Sequence, residues 1–242
     1  MSKKSADQSR AVRAQAALEA QQRAERRRMM IVVGSIVGVL VLVAAIVFVV
    51  SSTRDTTGET PDTTPAEATA DYGLVVGEDD APTEIVIYED PQCPVCAQLE
   101  AEVMDDVAAA VEAGDVRVEY RIVSFLDQAS TNDYSSRAAN ALVAAYDVSG
   151  PEVFDALHRT LFEQQPAEGG PGHTDDQLVE LAVDAGAEES EIRPMIEDGA
   201  YLQWIDNATD AMSRNGVTGT PTVFVDGDKA ENPLEGIRGA LG

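Results

Sequence analysis

The sequence predicts an α/β domain with a helical insertion, carried behind a single membrane-spanning helix. Three observations lead there. Residues 29–50 form an unbroken apolar run without a charge. Residues 83–123 change hydrophobic period twice, from a short β-branched block to a four-residue repeat and then to strict alternation. Residues 130–215 show only helical patterning before a late β-branched segment, "TPTVFV", returns.

The 242-residue chain carries a net charge of −26, from 43 acidic and 17 basic side chains. The basic ones are concentrated: Lys3, Lys4, Arg10, Arg13, Arg23, Arg26, Arg27 and Arg28 precede the apolar run, and only eight follow Arg54. An acidic body repels nucleic acid and anionic lipid, so nucleic-acid binding is excluded as a primary function. The simplest role for the acidity is solubility.

The run "MMIVVGSIVGVLVLVAAIVFVV" is long enough to cross a bilayer, which takes roughly 20 helical residues. It is longer than the apolar region of a cleavable signal and lacks a small-x-small site after it, which favours an uncleaved anchor over a cleaved leader. "RAERRR" on its N-terminal side places residues 1–28 in the cytoplasm as a tail and residues 51–242 outside. Residues 51–71 are rich in Thr, Pro and acid and read as a disordered extracytoplasmic linker. The folded domain is expected over 72–242.

Within it, "GLVVG" and "TEIVIY" (83–88) read as strands. Leu99, Val103, Val107 and Val111 recur every four residues and mark a helix stopped by Gly114. "VRVEYRIV" alternates, with Arg117, Glu119 and Arg121 on one face, and is expected at an edge or half-covered position. Strand, helix and strand form a right-handed parallel βαβ unit. The insertion, about 130–215, holds several helices, one opened by a Thr174/Gln177 capping box. "TPTVFVDGDK" is a hairpin turning at Asp226-Gly227, and "LEGIRGALG" a short terminal helix whose packing over the sheet is open.

Both cysteines lie in "YEDPQCPVC", which ends the strand and opens the helix. A thiolate at Cys93 would sit against unpaired N–H groups and the positive end of the helix dipole, which favour it. Pro94 suits the first turn, and Cys96 lies close enough to resolve a mixed disulfide on Cys93. The pair therefore reads as an attacking and a resolving thiol. A zinc site lacks ligands, since only His158 and His173 accompany the cysteines, and a purely structural staple would close too small a loop to gain much. Outside the cytosol such a disulfide persists.

The segments "VIYEDPQCPVC" and "GVTGTPTVFVDG", separated by helices, resemble the thioredoxin superfamily, and within it the DsbA-like membrane-anchored thiol–disulfide oxidoreductases. The resemblance covers about residues 72–242. It implies a thioredoxin fold with a helical insertion and a cis Thr220-Pro221 bond facing the disulfide. Pro94, Val95, Thr220 and Pro221 would line the client site. It further implies oxidation of cysteine-containing exported proteins without a dissociable cofactor or metal, and a quinone-linked membrane partner that reoxidises the pair. The same chemistry run as a reductase or isomerase, and a non-enzymatic peptide-binding module, are the rivals; the direction of electron flow is not written in the sequence. Position 87, often acidic in relatives, is Ile87, which leaves Glu89 as a candidate proton relay. His158 is expected to pack with Phe154 and Phe162, His173 to be exposed, Trp204 to be core or groove wall, and the Asn207-Ala-Thr209 sequon to be blocked inside a helix.

Overall fold

A computed structural model describes residues 58–242. The expected tail, the membrane helix 29–50 and residues 51–57 lie outside the described residues. None of the described helices is long and apolar enough to cross a membrane.

The chain forms β1 (Leu74–Val76), β2 (Thr83–Glu89), α1 (Pro94–Glu112), β3 (Val116–Ile122), a 3-10 turn (Asp127–Ala129) and α2 (Tyr134–Ser149). Then follow α3 (Pro151–Glu163), α4 (Asp175–Asp184), α5 (Glu189–Glu197), α6 (Leu202–Arg214), β4 (Thr222–Val225), β5 (Asp228–Lys229) and α7 (Pro233–Leu241). The sheet order is β1-β3-β2-β4-β5. β2 and β3 are parallel, Thr83 opposite Val116 through Glu89 opposite Ile122, with α1 as the crossover. The remaining pairs are antiparallel.

β2 sits at the centre and is buried on both faces, which is why it reads as a continuous apolar run. Ile85 and Ile87 point into the large core with Leu99, Val103, Val107 and Ile237. Val86 and Tyr88 point the other way, onto Met212 and Val217. α1 begins at Pro94 and stops where Gly114 adopts φ +74°, a conformation that costs glycine nothing. The Asp226-Gly227 turn has positive φ at both residues, as a two-residue hairpin requires. The Thr174/Gln177 capping box is formed.

Two open readings are decided and two expectations change. Of the two positions expected for β3, it is half-covered and not an edge: β1 pairs outside it, Arg117 and Arg121 stay partly exposed, and Glu119 between them is buried, holding Arg121 at 2.6 Å and Thr69 at 3.2 Å. The part of the expected linker from 58 to 71 lies along the domain rather than free of it. The Gly58 amide donates to Asn207 Oδ1 at 2.7 Å, Asn207 Nδ2 to the Glu59 carbonyl at 2.9 Å, and the Ala66 amide to Asp147 at 2.7 Å. Side chains far along the chain capture it, and no local pattern announces them. α7, though short, docks fully: Asn232 caps it and Ile237 is completely buried against the sheet. His173 is half-buried, its ring edge-on to Tyr134 at 5.8 Å. Trp204 is core, T-stacked on Tyr72 at 5.3 Å, and Asn207 is buried within α6.

Candidate active site

Cys93 is the N-cap of α1, with extended backbone (φ −74°, ψ 116°), and Pro94 occupies the first turn. Cys93 is 5% exposed and Cys96 fully buried; both are free thiols. Pro94 and Val95 stand out of the surface, Val95 at 54% exposure. Thr220-Pro221 faces them from the loop before β4, its peptide bond cis. The Cys93 thiol lies 3.5 Å from the Thr220 carbonyl. The Thr220 side chain is buried beside it. Val95, Leu99, Pro221, Pro233 and Leu234 line an open groove of about 500 Å³ beside the thiol. Chain segments 127 residues apart thus meet at the Cys93 sulfur, with the groove opening beside it along Val95 and Pro221.

The two thiols are driven apart. Cys93 is lowered to about 6, first by a hydrogen bond from the Cys96 thiol, which outweighs the cost of burial; the Thr220 hydroxyl and the Cys96 and Val95 N–H groups add to it. Cys96 moves far above the ordinary thiol range, through burial, its bond to Cys93 and the charge of Glu89. One sulfur is a thiolate near neutrality and the other holds its proton, as attack and later resolution require.

Asp90, three residues before Cys93, is completely buried and clamps three segments together. It accepts from the Gln92 amide at 2.8 Å, the Ser135 hydroxyl at 2.5 Å and the Leu126 amide at 3.0 Å. Burial raises it to about 7 against these hydrogen bonds, with a smaller push from Cys93. Gln165, after α3, adds a second tether, donating to the carbonyls of Pro91 at 2.9 Å and Cys93 at 3.1 Å.

Behind Cys96 lies a buried ionisable cluster. Glu89 ends β2, Glu100 is on α1 and His158 is on α3; none is more than 2% exposed. His158 Nε2 bonds Glu89 Oε1. His158 does pack on Phe154, Phe162 and Tyr120, as its helix face suggested, but packing is only half its role. Burial works against its charge, yet Glu89 and then Glu100 carry the imidazolium up to about 9. Glu100 rises to about 8 through burial and the neighbouring Glu89. Glu89 Oε2 and Glu100 Oε1 have no hydrogen-bond partner. Two bare carboxylates side by side in a core would cost several kcal/mol, and burial together with the neighbouring Glu89 holds Glu100 toward its neutral form. Among the described residues this is also the one group close enough to share a metal ion, with donor atoms within 4.8 Å of one another.

Thus the structure brings Cys93, Cys96, Pro94 and Val95 of the helix start against the Thr220-Pro221 loop, with Val95 and Pro221 lining the groove, and puts Glu89 on the buried side of the pair. It adds Asp90, Glu100, His158 and Gln165, which sequence reasoning did not assign to the site. For Glu100 a signal existed: it sits on the buried stripe of α1, between Cys96 and Val103 at helical spacing, where a carboxylate does not belong without a reason.

A dithiol with one activated and one shielded sulfur, set at a helix start and opposed by a Thr-Pro loop, defines a redox-type site on a thioredoxin fold. The thioredoxin family model matches residues 69–241, and the chain belongs to that family. Its fold is DsbA-like. It is similar to the reduced disulfide bond oxidoreductase DsbG of Mycobacterium tuberculosis, with 31% identity and a TM-score of 0.62 over 74% of this chain and 89% of that one. It is also similar to oxidised DsbA of the same organism, with 32% identity and a TM-score of 0.61 over 70% and 93%. A 168-residue stretch is 32% identical to part of the serine/threonine-protein kinase PknE of M. tuberculosis. That stretch is 66% of this chain but spans only 29% of the kinase.

Proposed function

We propose that this protein is a thiol–disulfide oxidoreductase, anchored in the cell membrane by residues 29–50, that introduces disulfides into exported proteins from the extracytoplasmic side. The observation that carries the reading is the split between the two thiols beneath an open apolar cleft. In the oxidised enzyme a client thiolate attacks Cys93. Cys96 leaves and takes up a proton, with Glu89 as relay. A second client thiolate then attacks the client sulfur of the mixed disulfide, the client disulfide forms, and Cys93 leaves as a thiolate. Two electrons have passed to the Cys93–Cys96 pair, and a quinone-linked membrane partner removes them. A low Cys93 pKa stabilises the reduced pair and so favours the oxidising direction. The similarity to structures described as DsbA and DsbG supports the chemistry.

Refolding of a reduced, disulfide-containing protein by the oxidised chain tests this. Stoichiometric disulfide transfer that vanishes in Cys93→Ser is expected. Transfer only to a scrambled substrate, or a reduction potential near that of a reductase, would move the assignment to an isomerase or reductase. Peptide binding without transfer would leave a binding module. For the topology, protease applied to intact, wall-stripped cells should degrade residues 55–242 and spare the N-terminal tail.

A further inference from the structure

A second groove runs between α1 and α3. Its two halves, of about 420 and 440 Å³, meet at Met104. Ala101 and Glu102 line both this groove and the cleft beside Cys93, so α1 is the wall between them. Ala97, Ala101, Met104 and Ala108 recur at helical spacing and give the groove a small-residue, apolar floor. From Ala97 to Val111 it follows α1 for about 20 Å, at roughly 1.5 Å per residue. Its rims are acidic. Asp105 is held by Arg159 at 2.7 Å and Glu102 by Arg238 at 2.8 Å. Asp106, Glu112, Glu152, Asp155 and Glu163 have no ion-pair partner among the described residues. One carboxylate lies deeper: Glu100 lines the groove, is 2% exposed, and has an oxygen without a hydrogen-bond partner. Acidity that served solubility alone would need neither an apolar floor between the rims nor a buried carboxylate in the lining.

We propose that the groove between α1 and α3 docks a cationic amphipathic helix of a partner protein, its apolar side on the alanine floor and its lysines or arginines against the two acidic rims. Carboxylates that face one another across a groove repel, and a basic segment between them relieves that repulsion. The same rims turn away anionic peptides. Along most of the groove both walls are helices, whose backbone groups are already paired, so an extended segment would find no strand edge to join; a helix needs only side-chain contact. Alanines let a third helix come close, within the 8–10 Å usual between helix axes, and the thioether of Met104 adapts to its side chains. The chain's own basic cluster, "RAERRR", precedes the apolar run; the topology proposed above keeps it across the membrane from the groove, and in this respect the inference rests on that reading. At one end Ala97 and Phe162 pack with Cys93 and Cys96. A docked helix would therefore end beside the thiol pair and leave the Pro221 cleft open, so that a client and the partner can be held at once.

The test uses the oxidised full chain in a nonionic detergent and a fluorescein-labelled, cysteine-free peptide of about 16 residues, long enough to span the groove. Its leucines and alanines share one helical face and its lysines flank them. Fluorescence anisotropy should show saturable binding that weakens several-fold as salt rises from about 50 to about 300 mM, because exposed charges are screened. The same peptide with glutamate for lysine should not bind. Asp106→Lys combined with Glu112→Lys, at two exposed positions, should weaken binding about tenfold or more. Ala108→Trp, which fills the groove without a change of charge, should do the same. A benzophenone on the peptide should cross-link within residues 97–112 and 151–163. Wild-type affinity in both variants, or cross-links confined to the cleft of Val95 and Leu234, overturns the proposal. Loss in the lysine variant alone would mean attraction to an acidic surface at large and overturns the groove. If Ala108→Trp does not fold, the cross-linked positions decide. Removal of residues 1–28 should leave the affinity unchanged; tighter binding after their removal would make the tail the occupant and overturn the partner. Binding should persist in Cys93→Ser, which separates the groove from the thiol reading; binding lost there would overturn the groove as an independent site.

Discussion

Replacing Cys96 by alanine separates the sources of Cys93 activation. The largest lowering influence on Cys93 is the hydrogen bond from the Cys96 thiol; the Thr220 hydroxyl and two N–H groups of the helix start are smaller. A hydrogen bond to a charged group contributes about 1.5–3 kcal/mol. At about 1.4 kcal/mol per pH unit, losing it should move Cys93 from about 6 up by about one to two units. The thiolate fraction at pH 7 should then fall from about nine-tenths to between about a half and a tenth. Cys93 is the only thiol left in Cys96→Ala, so thiolate absorbance at 240 nm against pH reads it alone, and iodoacetamide alkylation rates provide an independent curve. A midpoint that stays near 6 would show that the helix terminus, not the partner thiol, holds the thiolate. A midpoint at the free-thiol value of about 8.5 would deny the Thr220 and helix-end donors any part.

Ile237→Ala should destabilise the domain by about 2–5 kcal/mol in urea unfolding, since the side chain is fully buried beneath α7; a loss under about 0.5 kcal/mol would mean that α7 does not dock. Asp90 titrates higher folded (about 7) than its ordinary value of 3.8. Its folded form therefore binds the proton more tightly, so its contribution favours folding at low pH and is lost as pH rises from about 4 through 7. The fall in stability between pH 5 and 8 should accordingly be shallower in Asp90→Asn than in the wild type, and equal slopes would refute the buried carboxyl. Leu234→Asp puts a charge into the apolar groove away from the sulfurs; it should raise KM for peptide clients about tenfold, the effect of losing roughly 1.4 kcal/mol, while Cys93 reactivity toward iodoacetamide stays unchanged. An unaltered KM would remove the groove from client binding.

What the sequence determined by itself was whatever local chemistry decides. The change of period at Cys93, Pro94 in the first turn, Gly114 as a stop and Asp226-Gly227 as a hairpin each depend on a few adjacent residues, and each is found where their backbone preferences put it. The cysteine pair at a helix start was legible for the same reason; that Thr220-Pro221 would face it was implied only by the family resemblance. Tertiary structure decided what depends on residues far apart. The Thr220 carbonyl meets Cys93 only because β4 pairs antiparallel with β2. Residues 58–71 are held by Asn207, Asp147 and Glu119, which no neighbouring residue foretells. Glu89, Glu100 and His158 come from a strand and two helices, and each alone reads as a misplaced polar residue. Only packing that shuts out water makes them one charge cluster, because an ion in a low-dielectric interior must find its partner there.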